Sequence, residues 1–297
     1  MLPEFELLMP QTLAEALEML AARAPNVLPI AGGTNVIVML REASVQSYAE
    51  ANPDNQVLMD VSRLPELKGV FRDNGYIVVA GGTTIAQLLA EPLIASYGAP
   101  LRAAAAVLGS PLVRNRATLA GNLVDASPAA DTAPPLLALD AQVKLESQSG
   151  ARWVSLEEFM VGVNQTLRRP DELLTAVRWP VPPPHSVGAF HKIGLRKALA
   201  CSVVTAAVVV EGDGNGRCQG VRIALGAVAP RPIRAHAAEE ALRDKRLTTE
   251  EIATAARLSA EATSPIDDVR ASGAYRRQAV AVVVRRLLTE IATKIQT

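Results

Sequence analysis

The chain has 297 residues, 49% hydrophobic and 20% charged, which predicts a globular protein long enough for two domains and a large core. Its 30 Lys and Arg balance its 30 Asp and Glu, and aromatic residues make up only 3%, so it has neither the field nor the stacking surface to bind nucleic acid. Two cysteines, Cys201 and Cys218, argue against a disulfide framework and rule out a four-thiolate iron–sulfur cluster within this chain.

The opening residues, MLPEFELLMPQT, carry Glu4 and Glu6 and no basic region, so no secretory signal is expected. No window reaches the ~18 apolar residues of a membrane span. A cytoplasmic protein is expected. PQTLAEALEMLAARAP predicts a helix with Thr12 as N-cap and Glu15 completing a capping box. Next, VLPIAGGTNVIVML runs from Val27 to Leu40 as an apolar strand, the pair Gly32–Gly33, then Thr34–Asn35 and a second apolar run. Adjacent glycines let the backbone turn sharply and let a ligand approach the main chain. Thr34 or Asn35 can cap the following helix, whose free N–H groups would favour an anion, phosphate above all. These residues alone leave two readings open, a phosphate cradle and a tight turn without a ligand.

QVLMDVS reads as a buried strand and GVFRDNGYIVVAGG as a hairpin turning at Asn74–Gly75. TTIAQLLAEPLIASYGAPLRAAAAVLG predicts helices broken at Pro92 and Pro100. AQVKLESQSGARWVSL is a second hairpin and ELLTAVRWPV a further strand, so helices and strands are mixed through this half. WPVPPPHS then supplies a stiff connector at Pro182–Pro184, where a domain boundary is expected. Beyond it, two long apolar strands flank GDGNGRCQG, and helices follow to the end. That glycine-rich stretch looks like a dinucleotide loop. Because a strand rather than a helix follows it, it predicts a hairpin turn. His185, His191 and His236 lack metal-ligand spacing, and no Gly-Lys-Ser/Thr loop or Gly-x-Ser-x-Gly elbow is present.

The segment LGSPLVRNRATLAGNLVDASPAADTAPPLLALDAQV, Leu108 to Val143, reads as a second turn at Thr118–Asn122 ahead of an apolar helix. Small residues at Ala117, Ala120 and Gly121 would let the backbone pass close to a ligand. Asn122, Ser127 and Asp131 offer donors and acceptors to hydroxyls. A buried Asp131 needs donors of its own. Here too two readings stay open: Asp131 accepts from a ligand, or it caps the next helix.

Together these segments resemble the FAD-binding medium subunit of the molybdenum hydroxylases, the relatives of xanthine dehydrogenase, aldehyde oxidase and aerobic carbon monoxide dehydrogenase. The resemblance rests on AGGTN at Ala31–Asn35, GGTTIAQLL from Gly81, ATLAGN with ASPAAD from Ala117, ALGAVAPRPIRA from Ala224 and the closing ASGAYRRQAVAVVVRRLL. It covers essentially the whole chain.

The resemblance implies an α+β fold: a two-lobed α/β FAD-binding domain of PCMH type over residues 1–180, lobes about 1–60 and 61–180, then a smaller α+β domain over 185–297. It implies that Pro29, Ile30, Ala31, Gly32, Gly33, Thr34, Asn35 and Val36 wrap the FAD pyrophosphate. Leu108 and Leu174 flank the adenine or the flavin, with Gly109 beside the first and Ala117 leading into the second loop. Thr118 bonds a phosphate, and Gly121, Asn122 and Val124 lie along the cofactor. Asp131 accepts from ribityl or adenosine hydroxyls. Lys192 belongs to the flavin pocket, where an ammonium would favour added electrons, and Phe190 sits where some relatives place an aromatic. The family usually has glycine where this chain has Ala120, which puts the local loop shape in question.

The function so implied is an FAD-carrying electron-transfer subunit with no catalytic acid or base of its own. Its partners would be a large molybdopterin subunit and a small subunit bearing two [2Fe–2S] clusters, in a heterotrimer paired into a dimer. Electrons pass from the clusters to this subunit and on to an external acceptor. Two alternatives are a freestanding FAD-dependent reductase and an assembly subunit that has lost its cofactor. The reductase would need a proton donor. Tyr48, Tyr76 and Tyr97 read as core or surface residues. The intact Gly32–Gly33 and Gly121–Asn122 argue against the loss of the cofactor. Neither the organic substrate nor the acceptor is written in this chain.

Overall fold

In the computed structural model, which describes residues 4–46 and 56–295, strand β1 (Phe5–Leu8) leads into α1 (Leu13–Arg23). The Thr12 hydroxyl accepts the Glu15 N–H at 3.2 Å, and the Glu15 carboxylate accepts the Gln11 N–H at 2.6 Å. The helix buries Ala16, Leu17 and Leu20 on a small core shared with Val57, Met59 and Leu64. β2 (Val27–Ile30), α2 (Val36–Gln46) and β3 (Gln56–Asp60) follow, giving a three-stranded parallel sheet in the order β1-β3-β2. Tyr48 lies outside the described residues.

β4 (Val70–Asp73) and β5 (Tyr76–Ala80) make the expected hairpin, with Asn74 at φ 45° and Gly75 at φ 83°. The prolines divide the next helices into α3 (Ile85–Ala90), α4 (Pro92–Tyr97) and α5 (Ala99–Val107), where Pro92 and Pro100 sit in the first turns. Short helices α6 (Pro111–Arg114), α7 (Leu119–Val124) and α8 (Ala133–Ala138) carry the chain to β6 (Gln142–Ser147) and β7 (Gly150–Ser155). After α9 (Leu156–Phe159) and a minimal hairpin of β8 (Met160–Gly162) and β9 (Gln165–Thr166), β10 (Leu173–Pro180) enters the middle of an antiparallel sheet ordered β4-β5-β10-β6-β7. The helices pack on this sheet around Ile77, Val79, Leu101, Leu119, Leu136 and Trp179.

The Pro182–Pro184 stretch separates β10 from β11 (Ser186–Gly194). β11, β12 (Ser202–Gly212), β13 (Cys218–Gly226) and β14 (Ile233–Arg234) form an antiparallel sheet in chain order. GDGNGRCQG spans the β12–β13 connection, with Gly214 at φ 78° and Gly216 at φ 80°. α10 (His236–Leu242), α11 (Thr249–Glu261) and α12 (Gly273–Ile295) follow.

β12 reads SVVTAAVVVEG because both of its faces are covered. Ala207 and Val209 join the core of the preceding half, while Val204, Ala206 and Val208 pack with Val280, Val283 and Leu287 of α12. Arg276 of α12 is 2% exposed. It donates to the carbonyls of Val203 at 2.8 Å and Ala227 at 2.7 Å and to Asp268 at 2.7 Å. No described helix is long and apolar enough to cross a membrane.

Candidate functional site

β2 delivers the chain to the first loop. Its last rung is the Val61 N–H on the Ile30 carbonyl at 3.0 Å, and Pro29 and Ile30 are strand residues. Gly33 turns the backbone at φ 71°, a conformation most side chains resist. Its carbonyl accepts the Ile37 N–H at 3.1 Å, and the Asn35 carbonyl accepts the Met39 N–H at 2.9 Å, which starts α2. The six N–H groups of Ala31, Gly32, Gly33, Thr34, Asn35 and Val36 have no acceptor among the described residues. They are half-buried to exposed and stand at the positive end of an eleven-residue helix, the donor array an anion requires.

The Asn35 side-chain amide, immediately before α2, donates to the Asp125 carboxylate in a short contact. Gly32 meets a second constraint. A methyl built on it would overlap the Arg116 carbonyl oxygen and lie 3.0 Å from the Ala117 nitrogen. The two glycines therefore serve different ends: Gly33 supplies the turn, and Gly32 lets the first loop rest against the second.

The second loop is not the turn expected at Thr118–Asn122. Thr118 is extended, its hydroxyl accepts the Gly121 N–H at 3.1 Å, and α7 begins at Leu119. Ala120 lies inside this helix, so its methyl is accommodated, and its N–H donates to the Gly81 carbonyl at 3.0 Å. The GGTT stretch braces the loop. Leu119 N–H reaches the Thr83 carbonyl at 3.0 Å and Ile85 N–H the Ala117 carbonyl at 2.9 Å, while Gly81 N–H bonds the Thr175 carbonyl of β10 at 2.7 Å. A side chain on Gly81 would begin 2.5 Å from the Leu174 carbonyl oxygen.

Asp125 caps the C-terminus of α7 and was not singled out from the sequence. Burial pushes its carboxyl up from the ordinary range, and the Asn35 amide pulls it partly back. Its one sequence signal is a lone carboxylate in an otherwise small and apolar stretch, NLVDASP.

Asp131 is 7% exposed and does not cap α8, whose N-cap Thr132 makes no side-chain cap bond. Lys192 Nζ donates to Asp131 Oδ2 at 2.6 Å, and Ser202 Oγ donates to Oδ1 at 2.6 Å. Burial drives the Asp131 carboxyl up, opposed by the Lys192 charge and by both hydrogen bonds. Lys192 is therefore one half of an ion pair rather than an isolated ammonium. Asn122 Oδ1 accepts the Thr132 hydroxyl at 2.6 Å, joining α7 to the turn that carries Asp131. Leu108 and Leu174 are buried in the main core, and Val124 and Phe190 pack against it part-buried. Gly109 turns at φ 51° against Val113.

Gly32 thus lies against Arg116, Thr118 holds Gly121, Asn122 bonds Thr132 next to Asp131, and Asp131 pairs with Lys192. The donor set fits FAD. The N–H array suits a pyrophosphate, and each Asp131 oxygen keeps acceptor capacity for a hydroxyl. Residues 3–182 match the model for the FAD binding domain in molybdopterin dehydrogenase, and residues 189–291 match the CO dehydrogenase flavoprotein C-terminal domain. The chain belongs to the molybdopterin dehydrogenase FAD-binding family.

Within the family it is 31% identical to the nicotinate dehydrogenase FAD-subunit of Eubacterium barkeri, over 99% of this chain and 98% of that one. It is 29% identical to the xanthine dehydrogenase FAD-binding subunit of Escherichia coli O157:H7, over 94% and 93% of the two chains. The structure of carbon monoxide dehydrogenase from Hydrogenophaga pseudoflava superposes with a TM-score of 0.92 at 28% identity, covering 99% of each chain. FAD is the cofactor the family binds, and the fold is the α+β one the resemblance implies.

Proposed function

We propose that this chain is the FAD-carrying electron-transfer subunit of a molybdenum hydroxylase, beside a large molybdopterin subunit and a small [2Fe–2S] subunit, paired as a dimer of heterotrimers in the cytoplasm. The observation that carries the reading is the run of N–H groups at Ala31–Val36 with no acceptor among the described residues, set against a second loop whose approach a side chain on Gly32 would block. FAD, when bound, supplies one- and two-electron exchange.

The protein's part is to hold and orient. The N–H groups of the first loop and the Thr118 hydroxyl take the phosphates. Gly121, Asn122 and Val124 line the middle. Asp131 accepts from hydroxyls, and Leu108, Leu174 and Phe190 bound the apolar ring surfaces. No side chain here needs to move a proton, so none is named catalytic. Relatives that match this chain over nearly its full length are named as subunits of dehydrogenases, which favours a subunit over a freestanding reductase. Their names cite nicotinate and xanthine, which fits a substrate chosen on another chain.

The test is anaerobic stopped-flow absorbance of the FAD-loaded chain with the organic substrate of its own complex. The chain alone should keep its oxidised spectrum, and addition of the two partner subunits should bleach it. Bleaching of the chain alone would overturn the reading in favour of a freestanding reductase.

A further inference from the structure

Ser202 opens β12, is fully buried, and lies in a strand whose neighbours are nearly all apolar. In the β11–β12 ladder, Lys192 stands opposite Thr205 and Ile193 opposite Val204, but Gly194 stands opposite Ser202 rather than Val203. One extra residue on β12 has been inserted, a bulge. Directly opposed residues share a face of the sheet, so regular alternation would send Ser202 to the face of Val204 and Ala206, among the C-terminal helices. The bulge turns it to the face of Lys192, where its hydroxyl meets Asp131 Oδ1 at 2.6 Å while Lys192 holds Oδ2 at 2.6 Å. The bulged turn is fastened from behind. Arg270 Nη1 donates to the Ser202 carbonyl at 3.4 Å and Arg276 Nη1 to the Val203 carbonyl at 2.8 Å, and both guanidinium groups bond Asp268.

We propose that Ser202 is a positioning residue of the FAD site: it fixes the Asp131 carboxylate, through it the Lys192 ammonium, and so sets the reduction potential of the bound flavin. This rests on the reading above that places Lys192 at the flavin. With the hydroxyl present, the carboxylate charge is shared between two donors and stays paired with Lys192. Without it, Asp131 is a poorer buried anion, and the ammonium is less well compensated. A positive charge left beside the ring favours added electrons, so the potential rises.

The experiment measures the flavin midpoint potential by spectroelectrochemistry on the full chain saturated with FAD, with FAD affinity and thermal melting alongside. Ser202→Ala should raise the potential by about the equivalent of a tenfold preference for the reduced form, ~30 mV for a two-electron couple. Asp131→Asn should raise it at least as far. Ser202→Ala at the wild-type potential, with Asp131→Asn shifted, would overturn the role of Ser202 and leave the site reading standing. If Asp131→Asn, Lys192→Met and Ser202→Ala all leave potential and affinity unchanged, FAD is not at this pair, and both readings fall. Should Ser202→Ala not fold, Ser202→Cys keeps the volume and weakens the donor. It must shift the potential in the same direction, and a wild-type value overturns the proposal.

Discussion

Gly32→Ala tests the joint between the two loops with a single methyl. The new carbon would overlap the Arg116 carbonyl, so one loop must move. The second loop resists. Its backbone is tied by Arg116 N–H and Ala117 N–H on the Val113 carbonyl, at 3.0 and 2.7 Å, and by Ile85 N–H on the Ala117 carbonyl at 2.9 Å. Each bond is worth about 1 kcal/mol, so retreat there costs roughly 3 kcal/mol. Displacing the first loop costs about 2 kcal/mol, typical of overpacking, and is the cheaper response. It carries the N–H array of Ala31–Val36 away from the second loop. Loss of one charge-assisted contact, ~1.5 kcal/mol, already weakens FAD about tenfold.

The assay is fluorescence titration of apoprotein with FAD, paired with thermal melting. Gly75→Ala is the control. That glycine sits at φ 83° with nothing within 4 Å of its missing side chain, so the change adds about 1 kcal/mol of backbone strain and leaves FAD affinity alone. Gly32→Ala with wild-type affinity would refute the cradle, whatever its melting temperature.

Thr118→Ala should cost about 1 kcal/mol by removing the cap on Gly121 N–H and should also weaken FAD, and Thr118→Ser should restore both in denaturation and titration. Recovery of stability without affinity would remove Thr118 from the phosphate site. Asn35→Ala should destabilise the fold more at neutral pH than in acid. Asp125 is held above its ordinary 3.8 by burial, so the folded state binds more protons there and stability falls as pH climbs from about 3.8 through the raised value. Removing the Asn35 donor raises the carboxyl further and deepens that fall. Equal losses at about pH 3.5 and about pH 7 in urea titrations would refute the coupling.

What the amino-acid sequence determined by itself is whatever the backbone decides within a few residues. Thr12 with Glu15 starts a helix, Asn74–Gly75 turns a hairpin, and Pro92 and Pro100 divide helices, because caps, positive φ and missing N–H groups act locally. The turn at Gly33 was legible for the same reason, while the residues of Ala31–Asn35 alone left a phosphate cradle and a ligand-free turn both open, and the ordered set of motifs carried the family. The helix at Leu119–Val124 escaped because six residues are too few to show a period, and its cap looks like a turn until the chain beyond it is seen.

The tertiary structure alone decided what each site residue touches. Gly32 faces a carbonyl more than eighty positions away, and Asn35, Lys192 and Ser202 find their carboxylates at separations of 90, 61 and 71 residues. Spacing along the chain encodes none of these contacts. The bulge that brings Ser202 to Asp131 is a matter of register, set by how β12 packs between two cores rather than by any local preference of its residues.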